Sequence, residues 1–261
     1  MDDATDPLPT ARPARPRPAR MIAVVGACGG AGTSVLAAAL ARTQRRTSGA
    51  TALVDLDVPG GGLDVLLGAE TAPGARWGDL ADARGTVDGT GLLAALPRWG
   101  AVPLVSGTRH EAERPADAVV LDVTTALLRG GHRVVLDLPG PAGWTPAGRS
   151  LLAAADAVVL VVPLTAPAVA GAFAVQAALA EAGADEVRLV VRPAPGRVDV
   201  RGIERALGRP VVATVGWDAR LAAAVERGEG PRTGRRTPLG RAAAALLEPL
   251  GTGTAHRAVA A

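Results

Sequence analysis

The sequence predicts a doubly wound α/β fold with a mostly parallel sheet. Short apolar runs alternate with stretches whose apolar residues recur at helical spacing. A glycine-rich turn, Gly26 to Ser34, lies between the first apolar run and the first helical stretch. Acidic residues close two later runs, as Asp55-Leu56-Asp57 and as Asp137. Ligands of such sheets bind at the carboxyl ends of the strands. The turn and the acids are therefore expected at one edge, although they are far apart in the chain.

The elements follow in order. Residues 22–25 form the first strand, and the Ala-rich stretch 34–45 forms a helix. Residues 51–56 are a second strand, broken by Gly60-Gly61-Gly62. Residues 102–105 are a short strand and 116–129 a helix. The alternation then repeats: strand 133–138, helix 146–154, strand 157–162, helix 168–182, strand 187–191, helix 200–207 and strand 210–215. Helices over 218–227 and 239–247 close the chain. Residues 72–98 have mixed polarity and no clear period, with Trp77 and Trp99 as local anchors. The last helix carries Leu239, Ala242, Ala243, Leu246, Leu247 and Leu250 on one face. That stripe lacks bulky aromatics and has only Arg241 as a nearby cation, so it reads as a core-packing face and not a membrane anchor.

With 261 residues and 26.1 kDa, the chain can bury one large core. The expected division is a disordered Pro/Arg-rich linker over 1–20, one folded domain over 21–250 and a flexible tail over 251–261. Met21 stands where the folded part begins, either as the true start or after a linker that once joined another domain. Residues 1–20 lack an apolar segment of signal-peptide type. No run is long and apolar enough to span a bilayer, and the single cysteine excludes an internal disulfide. Together these point to a cytoplasmic protein. Aromatic residues are 2% of the chain, with no Tyr and one Phe, so stacking platforms for single-stranded nucleic acid are largely lacking. Net charge is only +3. The basic residues cluster in 227–241 as Arg227, Arg232, Arg235, Arg236 and Arg241. The plain reading is a solvated Arg-rich loop; DNA, an anionic membrane or an acidic partner are the alternatives.

Gly29-Gly30-Ala31-Gly32-Thr33-Ser34 has the strand-to-helix context of a phosphate-binding loop. Glycines let backbone N–H groups converge on phosphate oxygens, and the helix N-terminus adds partial positive charge. Ser34 holds the place of the hydroxyl that binds Mg²⁺. Asp57, after the second strand, is placed to orient a water or a metal-bound water. Asp137 ends its apolar strand where an outer-sphere contact to Mg²⁺ would fall. One feature cuts against a working site: all 28 basic residues are Arg, and the chain has no lysine. The lysine that normally follows the last glycine of the loop is Thr33. Cys28, also in the loop, reads as a small residue tolerated in a tight turn.

Loop, Asp-x-Asp and Asp137-Leu138-Pro139, in this order, resemble the ParA/MinD group of deviant P-loop ATPases. Within that group the chain is most similar to the CpaE/TadZ branch, and closest to its actinobacterial septum site-determining (Ssd) or CpaE-like form. Residues 55–70, Arg76-Trp77 and 190–196 carry the closer match. The resemblance covers about 21–250 and implies a SIMIBI-type P-loop fold. It also implies ATP and Mg²⁺ as cofactors, a homodimer, and protein partners in the division or pilus/secretion machinery. Recruitment to the pole, septum or inner membrane face goes with such a role.

The chain departs from the group's pattern. The group's deviant lysine is Cys28, its phosphate lysine is Thr33, and the first glycine of the loop is Ala27. The adenine-reading Asn has no counterpart, because the chain has no Asn; Arg192 stands about there. Only the Pro/Arg segment precedes the loop domain, where the branch commonly carries a receiver-like domain. Losing charged phosphate contacts costs most in the transition state, so little or no hydrolysis is expected. The leading expectation is a positioning or regulatory protein that acts by binding partners. The alternatives are an active ATPase with nucleotide-dependent dimerisation, or a nucleoid-binding ParA-like protein using Arg232, Arg235, Arg236 and Arg241.

Overall fold

In the computed structural model, strand β1 (Met21–Gly26) is buried at every residue. Its side chains meet helices on both faces of the sheet, which is why its sequence is apolar without alternation. The structure describes residues 20–58, 62–83, 85–110, 113–195 and 198–252. Residues 1–19 of the expected linker, residues 253–261 of the expected tail, and the glycines at 60–61 lie outside the described residues.

The chain continues from β1 through α1 (Thr33–Ser48), β2 (Thr51–Asp55), α2 (Leu63–Leu67), α3 (Gly89–Ala95), β3 (Arg98–Trp99) and β4 (Val102–Val105). It then runs through α4 (Asp117–Arg129), β5 (Arg133–Asp137), α5 (Pro146–Ala154), β6 (Ala157–Pro163) and α6 (Ala166–Glu181). The last elements are β7 (Val187–Arg192), α7 (Val200–Leu207), β8 (Val211–Thr214), α8 (Leu221–Glu226) and α9 (Pro238–Thr252). Among the described residues the strands form one sheet in the order β3-β4-β2-β5-β1-β6-β7-β8. Every pairing is parallel except β3 with β4.

That order positions the site. From β1 the chain crosses to β2 on one side, and later passes β1 to reach β6 on the other. The strand order reverses at the carboxyl end of β1, where sheets of this kind open a ligand crevice. Helices α1 and α9 cover one face, burying Leu36, Leu40, Leu53, Val159 and Leu246. Helices α4 to α7 cover the other, burying Val123, Leu127, Leu152, Leu179 and Ile203. The doubly wound expectation is borne out. In α9, Leu239, Ala242, Ala243 and Leu246 are buried, and Leu247 packs part-buried beside them. The stripe is a packing face, as its composition indicated; the side chain of Leu250 lies outside the described residues.

The stretch without a clear period holds two short helices and an antiparallel edge strand. Trp77, 2% exposed, donates its indole N–H to the carbonyl of Asp55 at 2.8 Å. Its backbone N–H donates to the carbonyl of Ser106 at 3.0 Å. Trp77 thereby ties the ends of β2 and β4 together. Arg76 is buried beside it and donates to the carbonyls of Ala69 (2.8 Å) and Ala72 (3.2 Å). The Arg42 guanidinium lies 4.3 Å from the ring centroid of the buried Trp99. The two indoles are anchors, as expected, and Trp77 supports an acid at the crevice. No helix among the described residues is long and apolar enough to cross a membrane.

Candidate functional site

Gly30 and Gly32 adopt φ of +71° and +93°, a region that side chains other than glycine enter only with strain. These two turns swing the chain from β1 into α1. Helix α1 begins without a side-chain cap and with no acid in its first turn. Its first N–H groups are thus open to an anion, and the helix dipole favours one there. The Thr33 hydroxyl folds back over Gly26, along the inner side of the turn.

Three aspartates face the loop. Asp55 and Asp137 are partners in register on adjacent parallel strands, and Asp137 pairs in turn with Val24 of β1. Asp55 is 1% exposed and accepts the N–H of Asp57 and of Leu63, each at 3.0 Å. It is a clasp for the segment after β2 and leaves the neighbouring, exposed Asp57 free to face the crevice. Burial pushes the Asp55 carboxyl up to about 6, against the pull of those two N–H groups. Asp137 is 2% exposed. Burial first, and then the charge of Asp55, hold it well above the ordinary carboxylate range, although the Ser34 hydroxyl donates to it. Its Oδ1 has no hydrogen-bond partner among the described residues.

A buried carboxylate oxygen without a partner is costly. Here it lies beside a hydroxyl and an exposed carboxylate, an oxygen set of the kind that Mg²⁺ takes, usually with waters completing the shell. The residues therefore fit a divalent ion in which Ser34 and Asp57 would be the near ligands and Asp137 an outer contact.

Loop, acids and strand ends line one cleft of about 790 Å³. The lining also includes Leu63, Val65 and Leu66 around α2, and Val215, Trp217, Leu221 and Val225 from the segment after β8 and from α8. Arg192 is the one basic residue among the described residues of the lining, against Asp55, Asp57, Asp137 and Asp218. Its Nη1 donates to the carbonyls of Gly30 (2.9 Å) and Ala31 (2.7 Å). Trp217 is 77% exposed, whereas Trp77, Trp99 and Trp144 are exposed by 6% or less.

The structure thus brings Gly29, Gly30, Ala31, Gly32, Thr33, Ser34, Asp57 and Asp137 into one cleft, together with the exposed Cys28. Arg192, which stands about where the group has its adenine-reading Asn, holds the phosphate loop with its guanidinium. Trp217 carried no periodic signal. A lone Trp after the last strand, in Val215-Gly216-Trp217-Asp218, was the available clue. The Arg-rich segment is only partly a solvated loop. Arg232, Arg235, Arg236 and Arg241 are exposed, but Gly230 and Pro231 just before them and Thr233 among them are buried. Arg46 of α1 donates to the Thr233 carbonyl, joining the end of α1 to this basic surface.

The fold is the α/β architecture shared with ParA/MinD P-loop proteins. The chain superposes on a ParA family ATPase from Chlorobium tepidum with a TM-score of 0.74 at 18% identity, covering 88% of this chain and 97% of that one. It superposes on the MinD cell division protein of Aquifex aeolicus with 0.71 at 17% identity, covering 90% and 98%. For the septum site-determining protein MinD of Pyrococcus horikoshii, complexed with Mg-ADP, the values are 0.70, 16%, 88% and 95%. At these identities the likeness is one of fold. In sequence, the chain is 42% identical over 231 residues to an uncharacterized protein of Mycobacterium tuberculosis, found in two strains. That match takes in 87% of this chain, which spans 63% of the length of those relatives. No protein-family model matches the chain.

Proposed function

We propose that this chain is a ParA/MinD-like positioning or regulatory protein that works by binding partners, with its nucleotide site kept as a degenerate binding site. The observation that carries this reading is a glycine-rich phosphate-loop backbone, faced by three aspartates, in a chain without a lysine. Gly29 to Ser34 would hold the phosphates through backbone N–H groups, with Mg²⁺ on Ser34 and Asp57 and an outer contact to Asp137. A bound Mg²⁺ would supply charge that the loop no longer provides. The residues present can orient phosphate and a water. They have no loop cation on Thr33 or Cys28 for the charge that develops in phosphoryl transfer. Binding without appreciable turnover follows.

The setting, by resemblance, is septum placement or assembly of a Tad-type pilus or secretion system. Recruitment would be from the cytoplasm to the pole, the septum or the inner membrane face. Among the similar structures, an Aquifex MinD was solved as a MinC:MinD complex; a partner protein is therefore part of the proposal, and a homodimer is added by resemblance. A DNA-binding role is the second reading, favoured by the exposed Arg232, Arg235, Arg236 and Arg241 beside Arg46.

The test is complementation of a strain that lacks the full-length protein, scoring septum spacing and surface pili. Wild type and Asp57→Ala should correct the defect equally if partner binding is the function. Failure of Asp57→Ala alone, with the protein present at normal level, would mean that turnover is required. Failure of Arg235→Ala/Arg236→Ala, with loss of nucleoid association, would favour the DNA reading.

A further inference from the structure

We propose that Arg192 supplies, from outside the loop and within the same chain, the positive charge that the phosphate loop has lost from its inside. This rests on the nucleotide-binding reading above and concerns how that site takes a polyphosphate.

Arg192 ends β7, two strands away from β1. Its Nη1 donates to two successive loop carbonyls, Gly30 at 2.9 Å and Ala31 at 2.7 Å. A Cβ built on Gly32 would lie 2.9 Å from the same nitrogen. The guanidinium therefore rests against the Gly30–Gly32 backbone and is held by more than one contact. A trans peptide points its C=O and the next N–H to opposite sides. Pinning the Ala31 carbonyl on the Arg192 side turns the Gly32 N–H away from it, toward the inside of the turn. The Ala31 N–H is already used within the loop, by the Cys28 carbonyl at 3.2 Å. Arg192 thus does two things. It neutralises carbonyl dipoles that face away from an anion, and it places a full charge one backbone thickness from the anion's position.

The charge balance of the cleft makes the second role matter. Four aspartates and one arginine line it among the described residues. A nucleotide polyphosphate entering there meets net negative charge, and Arg192 is the cation set against it. Arginine suits the post better than lysine. Its fork can hold carbonyls with one nitrogen while the rest of the delocalised charge stays near the ligand, and it does not lose its proton.

The experiment uses the full chain. Calorimetry with Mg·ATP, inorganic pyrophosphate and adenosine compares wild type with Arg192→Ala, Arg192→Gln and Arg192→Lys, each at two salt concentrations. Loss of the charge should weaken ATP and pyrophosphate by about tenfold or more and leave adenosine unchanged. Arg192→Gln keeps a donor for the carbonyls but not the charge, so it should behave like Ala. Arg192→Lys keeps the charge and should recover part of the affinity. The salt dependence of ATP binding should be shallower in Ala and Gln than in wild type. Wild-type affinity in Arg192→Gln would reduce Arg192 to a loop-positioning residue and overturn the proposal. Tighter binding in Arg192→Ala would make it a plug, which also overturns it. A wild type that binds ATP equally well in all variants sinks the inference alone. A wild type that binds no polyphosphate sinks the nucleotide reading with it.

Discussion

Asp55 and Asp137 are register partners at the carboxyl ends of adjacent parallel strands, and both are buried. Two carboxyls so placed hold protons more tightly in the folded chain than in the unfolded one. The stabilisation from such a group is complete below the unfolded value and is lost as pH rises through the folded value. For Asp55 that window runs from 3.8 up to about 6, and Asp137 carries it higher. The bare protein should therefore lose stability as pH rises from 3.8 to about 6 through Asp55, and further above that through Asp137.

Asp137→Asn should relieve that loss. An amide keeps the Ser34 hydrogen bond and removes the buried charge. Urea unfolding at pH 7.5 should show the variant more stable than wild type, by on the order of 1–3 kcal/mol, with the gap closing toward pH 4. Added Mg²⁺ should stabilise wild type more than the variant, which keeps Ser34 and Asp57 but lacks the outer carboxylate. A variant less stable than wild type at pH 7.5 would show that the ionised pair is already compensated in the protein alone.

Two glycines of the loop should respond in opposite ways. Gly32 has φ +93° and its added Cβ would meet Arg192 Nη1 at 2.9 Å. Gly32→Val should cost about 1–3 kcal/mol from the backbone strain alone, dislodge Arg192 and abolish nucleotide binding. Gly29 has nothing within 4 Å of an added Cβ. Gly29→Ala should leave the unfolding free energy within about 0.5 kcal/mol of wild type. Equal ATP affinity in wild type and Gly32→Val would place the nucleotide elsewhere.

Trp217 is a built-in reporter, since the other three indoles are buried and it alone is well exposed, at 77%. Mg·ATP should quench or blue-shift its emission, Trp217→Phe should remove the change, and pyrophosphate should cause none. An equal response to pyrophosphate would mean that Trp217 senses a change in the cleft and not a base.

Thr33→Lys should return a cation to the loop. The Thr33 side chain already lies along the inner side of the turn, over Gly26, and a longer chain from the same Cβ would follow the loop toward the phosphates. A charge-assisted contact contributes on the order of 1.5–3 kcal/mol, or about ten- to a hundredfold in ATP affinity by calorimetry. Hydrolysis should recover less, because Cys28 leaves the second lysine position empty of charge. No gain in Thr33→Lys, Cys28→Lys or the double variant would mean that the loop no longer takes nucleotide.

Much of this was legible in the chain. β1, β2, β5 and β6 are unbroken apolar runs because both of their faces are covered, and the loop and the acids mark their carboxyl ends. Short elements were not legible: α2 follows a glycine run, and β3 has two residues. The largest omission was the bond from Arg192 to Ala31, across 161 positions of sequence. Nothing local in 187–192 announces it, since only the sheet order brings β7 within reach of the β1–α1 turn. Trp77 was legible as an anchor, but its support of Asp55 depends on the fold of a segment without periodicity.

Whether the nucleotide site binds without turnover is tested most directly by steady-state phosphate release by the full chain with Mg·ATP. Release should be indistinguishable from a no-enzyme control, for wild type and for Asp57→Ala alike, because neither Thr33 nor Cys28 supplies charge to the transferring phosphoryl group. Turnover at the level of ordinary ParA-type ATPases, abolished by Asp57→Ala, would contradict it.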